Sequence, residues 1–192
     1  MTLVAVTGGI GSGKSVVCSV LRACGFLVYD CDSRAKAIMD SDAGIWNALC
    51  SHIHPNAVVN GKVDRPLISS VVFADPDKLA RLNSIVHGAV ERDLKSWCER
   101  HSDHELLFVE TAILYQSGLN RIVDEVWEVT APEYVRIERV MNRNGLSREA
   151  VVARIEAQNY EIPADAIRPP TFTIVNDNHA PILPAIEKLL AK

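Results

Sequence analysis

The sequence of 192 residues has no run approaching the ~20 consecutive apolar residues of a membrane span, and its first residues, MTLVAVTGG, lack the basic segment and longer apolar stretch of a secretory signal. A cytoplasmic protein is the expectation. There is no CxxC pair: Cys18, Cys24, Cys31, Cys50 and Cys98 are an odd set without metal-ligand spacing, which argues for a reducing compartment and against a disulfide framework. Nor is there an excess of positive charge. Lys and Arg number 20 against 24 Asp and Glu, a formal net charge of −4, so general attraction to nucleic acid or anionic lipid is not expected and an anionic ligand needs local cations. Internal repeats, low-complexity tracts and long linkers are missing, and no protein partner is evident. What remains is an ordinary folded composition, 48% hydrophobic and 23% charged, long enough for one domain with a substantial core. His52 and His54, like His101 and His104, lie in polar segments without a cysteine nearby and read as surface or turn residues.

Leu3 to Thr7 is a short apolar, β-branched run that stops at Gly8 and Gly9, the pattern of a buried strand entering a turn. From Lys14 the positions Val17, Val20, Leu21 and Cys24 keep helical spacing up to Gly25, a suitable helix stop, and Phe26 to Tyr29 follows as a second strand. Residues 34 to 51, 65 to 73 and 77 to 100 read as helices. Strand character returns at Leu106 to Val109, Val126 to Thr130 and Phe172 to Val175, with helices near 133 to 143, 147 to 159 and 181 to 191. Strands alternating with helices predict an α/β fold, a parallel sheet covered on both faces as a three-layer sandwich, carrying a helical insertion from about 40 to 103.

The segment Gly8-Gly9-Ile10-Gly11-Ser12-Gly13-Lys14-Ser15 matches GxxxxGK[ST]. Glycines let successive N–H groups approach phosphate oxygens, and the following helix N-terminus adds partial positive charge. Lys14 can neutralise the β- and γ-phosphates, and the Ser15 hydroxyl can ligate the Mg²⁺ that bridges them. A triphosphate site of the P-loop type is the reading. The DxxG and NKxD segments of a GTP switch do not occur, and a large ATPase machine normally needs more chain. A compact kinase fits what is left.

Acids at the C-terminal strand ends are the next candidates, because parallel sheets gather ligands there. Asp30-Cys31-Asp32 follows the second strand, and continued alternation would set both aspartates on one side. One carboxylate can accept or orient an acceptor hydroxyl for phosphoryl transfer, the alternative is a simple acidic cap for a helix beginning near Ser33, and Asp32 could do both. Glu110 ends the strand Leu106 to Val109, where an acid can hold Mg²⁺ through water. Arg136, Arg139 and Arg143 fall at i, i+3 and i+7 on one helical face, suited to closing over a triphosphate or to pairing with Glu133 and Glu138 as a solvated stripe.

The chain resembles the dephospho-CoA kinases through most of its length. TGGIGSGKS, then DCD where that family has D-x-D, then VDRPLISSVVF, LNSIVH, RVMNRNGLSREAVVARIEAQ and TIVND look like its successive blocks in order. The resemblance implies transfer of the ATP γ-phosphoryl group to the ribose 3′-hydroxyl of dephospho-CoA, with Mg²⁺ as cofactor and a lid over about 134 to 160. It implies Asp32, Lys14 and Arg139 as catalytic residues. ATP would be bound by Gly9, Ile10, Gly11, Ser12, Gly13, Lys14, Ser15, Arg139, Arg143 and, near the adenine, Asn176. The acceptor would lie against Asp32, Lys36, Arg65 and His87. The core then spans about 1 to 39 and 104 to 192. The chain departs from the family pattern at His87-Gly88 for His-Pro, Lys36 for Arg, Arg136 for Gln, and the run from Ala112 to Gln116. Lys36 keeps a charge but not the bidentate fork of Arg. Other acceptors, such as a nucleotide, nucleoside or small hydroxy acid, and a nucleotide-binding regulator without turnover are the alternatives.

Overall fold

Apolar runs along the chain form one sheet, and amphipathic segments between them form helices. The computed structural model describes residues 1–192. In chain order the elements are β1 (Thr2–Thr7), α1 (Lys14–Ala23), β2 (Val28–Asp30), α2 (Cys31–Ser41), α3 (Ala43–His52), β3 (Val58–Val59), β4 (Lys62–Val63), α4 (Arg65–Phe73) and α5 (Pro76–Arg100). Then come β5 (Leu106–Glu110), β6 (Glu125–Thr130), α6 (Glu133–Asn144), α7 (Arg148–Glu156), β7 (Thr171–Val175) and α8 (Ile182–Leu190). Two compact units result, Met1–Tyr29 with Asp103–Lys192, and Asp30–Ser102. The insertion is expected from about residue 40; the second unit begins at Asp30 and so takes in α2.

The first unit carries the five-stranded sheet, ordered β2-β5-β1-β6-β7. β1 runs parallel to β5, with Thr2 opposite Leu106, and to β6, with Val4 opposite Glu125; β6 and β7 are parallel with Val126 opposite Thr171. On one face Val4, Val6, Phe108, Trp127, Val129 and Ile174 pack with Val17, Cys18 and Leu21 of α1 and Ile186 of α8. The alternate residues Leu3, Ala5, Leu107, Val109 and Val126 are buried as well, which is why these strands read as continuous apolar runs. Phe108 sits edge-on to Phe26 at 5.5 Å and to Trp127 at 5.1 Å, each contact worth about 1 kcal/mol beyond area burial. The Trp127 indole N–H donates to Glu125 Oε1 at 2.6 Å, so the largest core side chain buries no unpaired donor.

The second unit is a helical cluster in which Ile45, Leu49 and Ile53 of the α3 region, Ile68 and Val72 of α4 and Ala89 of α5 form the core. The helix expected over 34 to 51 is two helices. Asp42 is extended at φ −92° and ψ 112°, and its carboxylate accepts from the N–H groups of Gly44 and Ile45 at 2.7 and 3.0 Å, stopping α2 and starting α3. A short hairpin, β3 with β4, lies between α3 and α4, where no strand is expected from the sequence. Its turn is Asn60-Gly61, both with positive φ (52° and 70°), the geometry a two-residue hairpin loop demands.

Candidate active site

Between β1 and α1 the glycine-rich segment forms a tight loop, closed by a hydrogen bond from the Ser12 N–H to the Gly9 carbonyl at 3.1 Å. Gly11 has φ +78°, and a Cβ there would lie 2.6 Å from the backbone oxygen of Arg136, so both conformation and space demand glycine. The N–H groups of Gly11, Gly13 and Ser15 are not used within the chain, consistent with donors kept for an anion at the start of α1. Lys14 folds back over the loop, its ammonium donating to the Gly8 carbonyl at 2.6 Å and lying 3.4 Å from that of Gly9. Ser15 is exposed in the first turn of α1 and its hydroxyl makes no hydrogen bond. Ser12 is 1% exposed with an unpaired hydroxyl, the kind of buried group that a bound polar partner or water satisfies.

Helices α6 and α7 brace this loop from outside. The Ile10 side chain packs against their apolar cluster of Ile137, Val140, Val151 and Ile155. Its carbonyl accepts from Arg136 Nε at 2.9 Å, and its N–H donates to Gln158 Oε1 at 2.6 Å. Arg139 spreads its guanidinium over the Gly11 and Ser12 carbonyls, at 3.2 and 3.3 Å, and over the side-chain oxygens of Asn176, at 3.1 Å, and Asn178. Asn176 Nδ2 donates in turn to the Ser12 carbonyl at 2.9 Å. Of the three arginines that share a helical face, Arg136 and Arg139 therefore reach the loop, whereas Arg143 is exposed and bonds its neighbour Asn144 at 2.9 Å. Asp177 fixes the segment carrying the two asparagines by accepting from the Ala180 and His179 N–H groups, bonds that hold its carboxyl below the usual range.

Glu110 closes β5, mostly buried, with Arg22 of α1 at 3.6 Å from its carboxylate. The chain brings together no cluster of three or more His, Cys, Asp or Glu suited to a metal. A cation bound mostly by phosphate oxygens needs no such cage, and the Ser15 hydroxyl and the Glu110 carboxylate are oxygen donors of the kind Mg²⁺ takes.

In the second unit the expected common side for Asp30 and Asp32 does not arise, because the chain turns helical at Cys31. Asp30 is the N-cap of α2: its Oδ1 accepts from the N–H groups of Asp32 and Ser33 at 3.0 and 3.1 Å, and its Oδ2 from the Ser33 hydroxyl at 2.7 Å. Asp32 sits in the first turn, exposed, with a carboxylate that makes no hydrogen bond or ion pair. Capping and catalytic candidacy are thus divided between the two residues. An ion pair with two hydrogen bonds, from Arg34 Nε and Nη2 to Asp93 at 2.9 and 2.8 Å, ties α2 to α5. Lys36 is exposed on α2, and Arg65, the first residue of α4, pairs with Asp40 at 2.8 Å.

His87 is half-buried on α5, and burial lowers its imidazole pKa below the ordinary value. Because the unfolded chain takes up that proton first, stability that is intact above the ordinary imidazole value declines as pH falls below about 6.5. Urea unfolding at pH 7.5 and 5.5 is expected to show a smaller loss for His87→Gln than for the native chain. Equal losses would mean that His87 is not responsible.

Gln158 and Asn178 escaped the sequence reading. Gln158 falls in the helix expected over 147 to 159 but lies past the actual end of α7 at Glu156, and Asn178 adopts φ 70° in a loop. Only the block resemblance that contained RIEAQ pointed toward the former.

Comparison with known proteins agrees with this geometry. The family model for dephospho-CoA kinase matches residues 2–181. The dephospho-CoA kinase of Porphyromonas gingivalis is 39% identical over 161 residues, 84% of this chain and 79% of the relative. That of Bacteroides fragilis is 32% identical over 188 residues, 98% of this chain and 91% of the relative. Among solved structures, TT1252 from Thermus thermophilus superposes with a TM-score of 0.74 at 34% identity, covering 99% of this chain and 94% of the other. Dephospho-CoA kinase from Campylobacter jejuni shares the fold, with a TM-score of 0.65 at 20% identity and 98% and 95% coverage.

Proposed function

The chain belongs to the dephospho-CoA kinase family, and on that premise we propose how its own residues move the ATP γ-phosphoryl group to the ribose 3′-hydroxyl of dephospho-CoA, the last step of CoA synthesis. The observation that carries the proposal is the phosphate loop, with unused amides at the start of α1 and a lysine resting on its rim.

ATP enters with its phosphates over Gly9 to Ser15. Lys14 exchanges its carbonyl partners for β- and γ-oxygens, and the amides of Gly11, Gly13 and Ser15 take up phosphate oxygens. Ser15 and, through water, Glu110 would hold Mg²⁺, which would supply neutralisation of phosphate charge. Arg139 and Asn176 hold the loop carbonyls so that the amides stay aimed, which stabilises transition-state charge without reorganisation. Arg143, exposed and held only by its neighbour, is available to the triphosphate.

Asp32 takes the proton of the 3′-hydroxyl as that oxygen bonds to the γ-phosphorus and the bond to the ADP oxygen breaks. Its position just beyond strand β2 and its unengaged carboxylate support that role. Lys36, Arg65 and His87 hold the anionic and aromatic parts of dephospho-CoA. The cytoplasm is the proposed location, supported by five cysteines that form no disulfide; no helix is long and apolar enough to cross a membrane.

The test is an acceptor panel. With Mg-ATP and dephospho-CoA, AMP, uridine or shikimate, ADP release should be fast with dephospho-CoA and at background with the others. Turnover of AMP or shikimate without dephospho-CoA would overturn the proposal.

A further inference from the structure

The Ile10 peptide is gripped from both sides. Arg136 holds its carbonyl, Gln158 its N–H, and the α6–α7 cluster its side chain. The Gln158 contact fixes more than the loop. A backbone N–H can only donate, so the atom facing it is Oε1, and the other half of the amide, Nε2 with two N–H donors, has no partner in the chain. The Gln158 backbone is also tied down, its N–H donating to the Ile155 carbonyl at 3.1 Å at the end of α7. The side chain is thus anchored at both ends with its donors unspent.

The polarity of the loop says what those donors meet. In a loop of this kind amides at the helix start cradle the α- and β-phosphates, and the lysine reaches the β- and γ-phosphates. Here the lysine ammonium already lies on the carbonyls of Gly8 and Gly9, which places the terminal-phosphate end on the strand side of the loop, where Ile10 sits. We infer that Gln158 recognises the terminal phosphate of ATP: Oε1, locked by Ile10, presents Nε2 as a neutral, preorganised donor to a γ-oxygen. The inference rests on the kinase reading above. It makes Gln158 the residue that tells triphosphate from diphosphate, since ADP has nothing at that end. Product release benefits, because ADP leaves without breaking this bond.

Titration calorimetry with a non-hydrolysable ATP analogue and with ADP, each with Mg²⁺, tests it on Gln158→Ala and Gln158→Glu. For the alanine variant, affinity for the triphosphate should fall about 10-fold and that for ADP less than about 2-fold, as for loss of one hydrogen bond to a charged group. Glutamate can still accept from the Ile10 N–H but offers a negative charge instead of donors, so it should bind triphosphate more weakly than alanine does. Three outcomes overturn the inference: native triphosphate affinity in Gln158→Ala, equal losses for ATP analogue and ADP, or recovery in Gln158→Glu, which marks a loop anchor only. Near-isosteric Gln158→Glu carries the test if the alanine variant fails to fold. No acceptor is present, so the outcome stands apart from the acceptor panel.

Discussion

Lys14→Ala should lower kcat/KM for ATP about 10³-fold and weaken ATP binding in parallel, in a protein whose melting temperature stays near that of the native chain. The size follows from removing a charge that meets the β- and γ-phosphates in a site where donors are fixed in advance, a class of contact worth about 3 to 4 kcal/mol or more in the transition state. The stability expectation follows from what the ammonium now touches. Its partners include the Gly8 and Gly9 carbonyls, and the loop is separately held by Arg136, Arg139 and Asn176. Steady-state kinetics with varied ATP, together with nucleotide binding, check this; native-like ATP affinity in Lys14→Ala would refute the phosphate-loop assignment.

Asp32→Asn should leave ATP affinity within about 3-fold of native and lower kcat at least ~10²-fold, the usual contribution of a positioned base. Asparagine keeps the shape and the helical turn but has no carboxylate to take the 3′-hydroxyl proton. A comparison variant separates chemistry from folding. Asp30→Ala removes the α2 N-cap, which costs about 1 kcal/mol of stability, and disturbs Asp32 only through its backbone bond, so its kcat should fall far less. Normal turnover in Asp32→Asn would assign the hydroxyl proton to another acceptor.

The phosphate loop was legible because each of its positions is constrained locally, by glycine conformations, a helix start and a strand before it. The strands were legible as apolar runs because the sheet buries both faces. The break at Asp42 lay in a side chain that competes for helix-start amides, a choice that apolar periodicity does not register. The hairpin did announce itself in Asn60-Gly61, but strands of two residues are too short to show alternation. Spacing put three arginines on one face without saying what that face meets, and tertiary contact then separated Arg136 and Arg139 from Arg143. Gln158 was beyond reach for the same reason: its partner is Ile10, 148 positions away, and no local pattern links them.

The register of β1 bears on how the chain comes off the ribosome. Its neighbours begin at Leu106 and Glu125, so β1 is made long before either strand that it pairs with. A nascent chain that stops before residue 106 holds an apolar edge with no β5 or β6 to cover it, while the helices of Asp30–Ser102 already have one another. For the stretch of translation between those points, Leu3 to Val6 is an unpaired apolar strand, the kind of edge that invites intermolecular pairing.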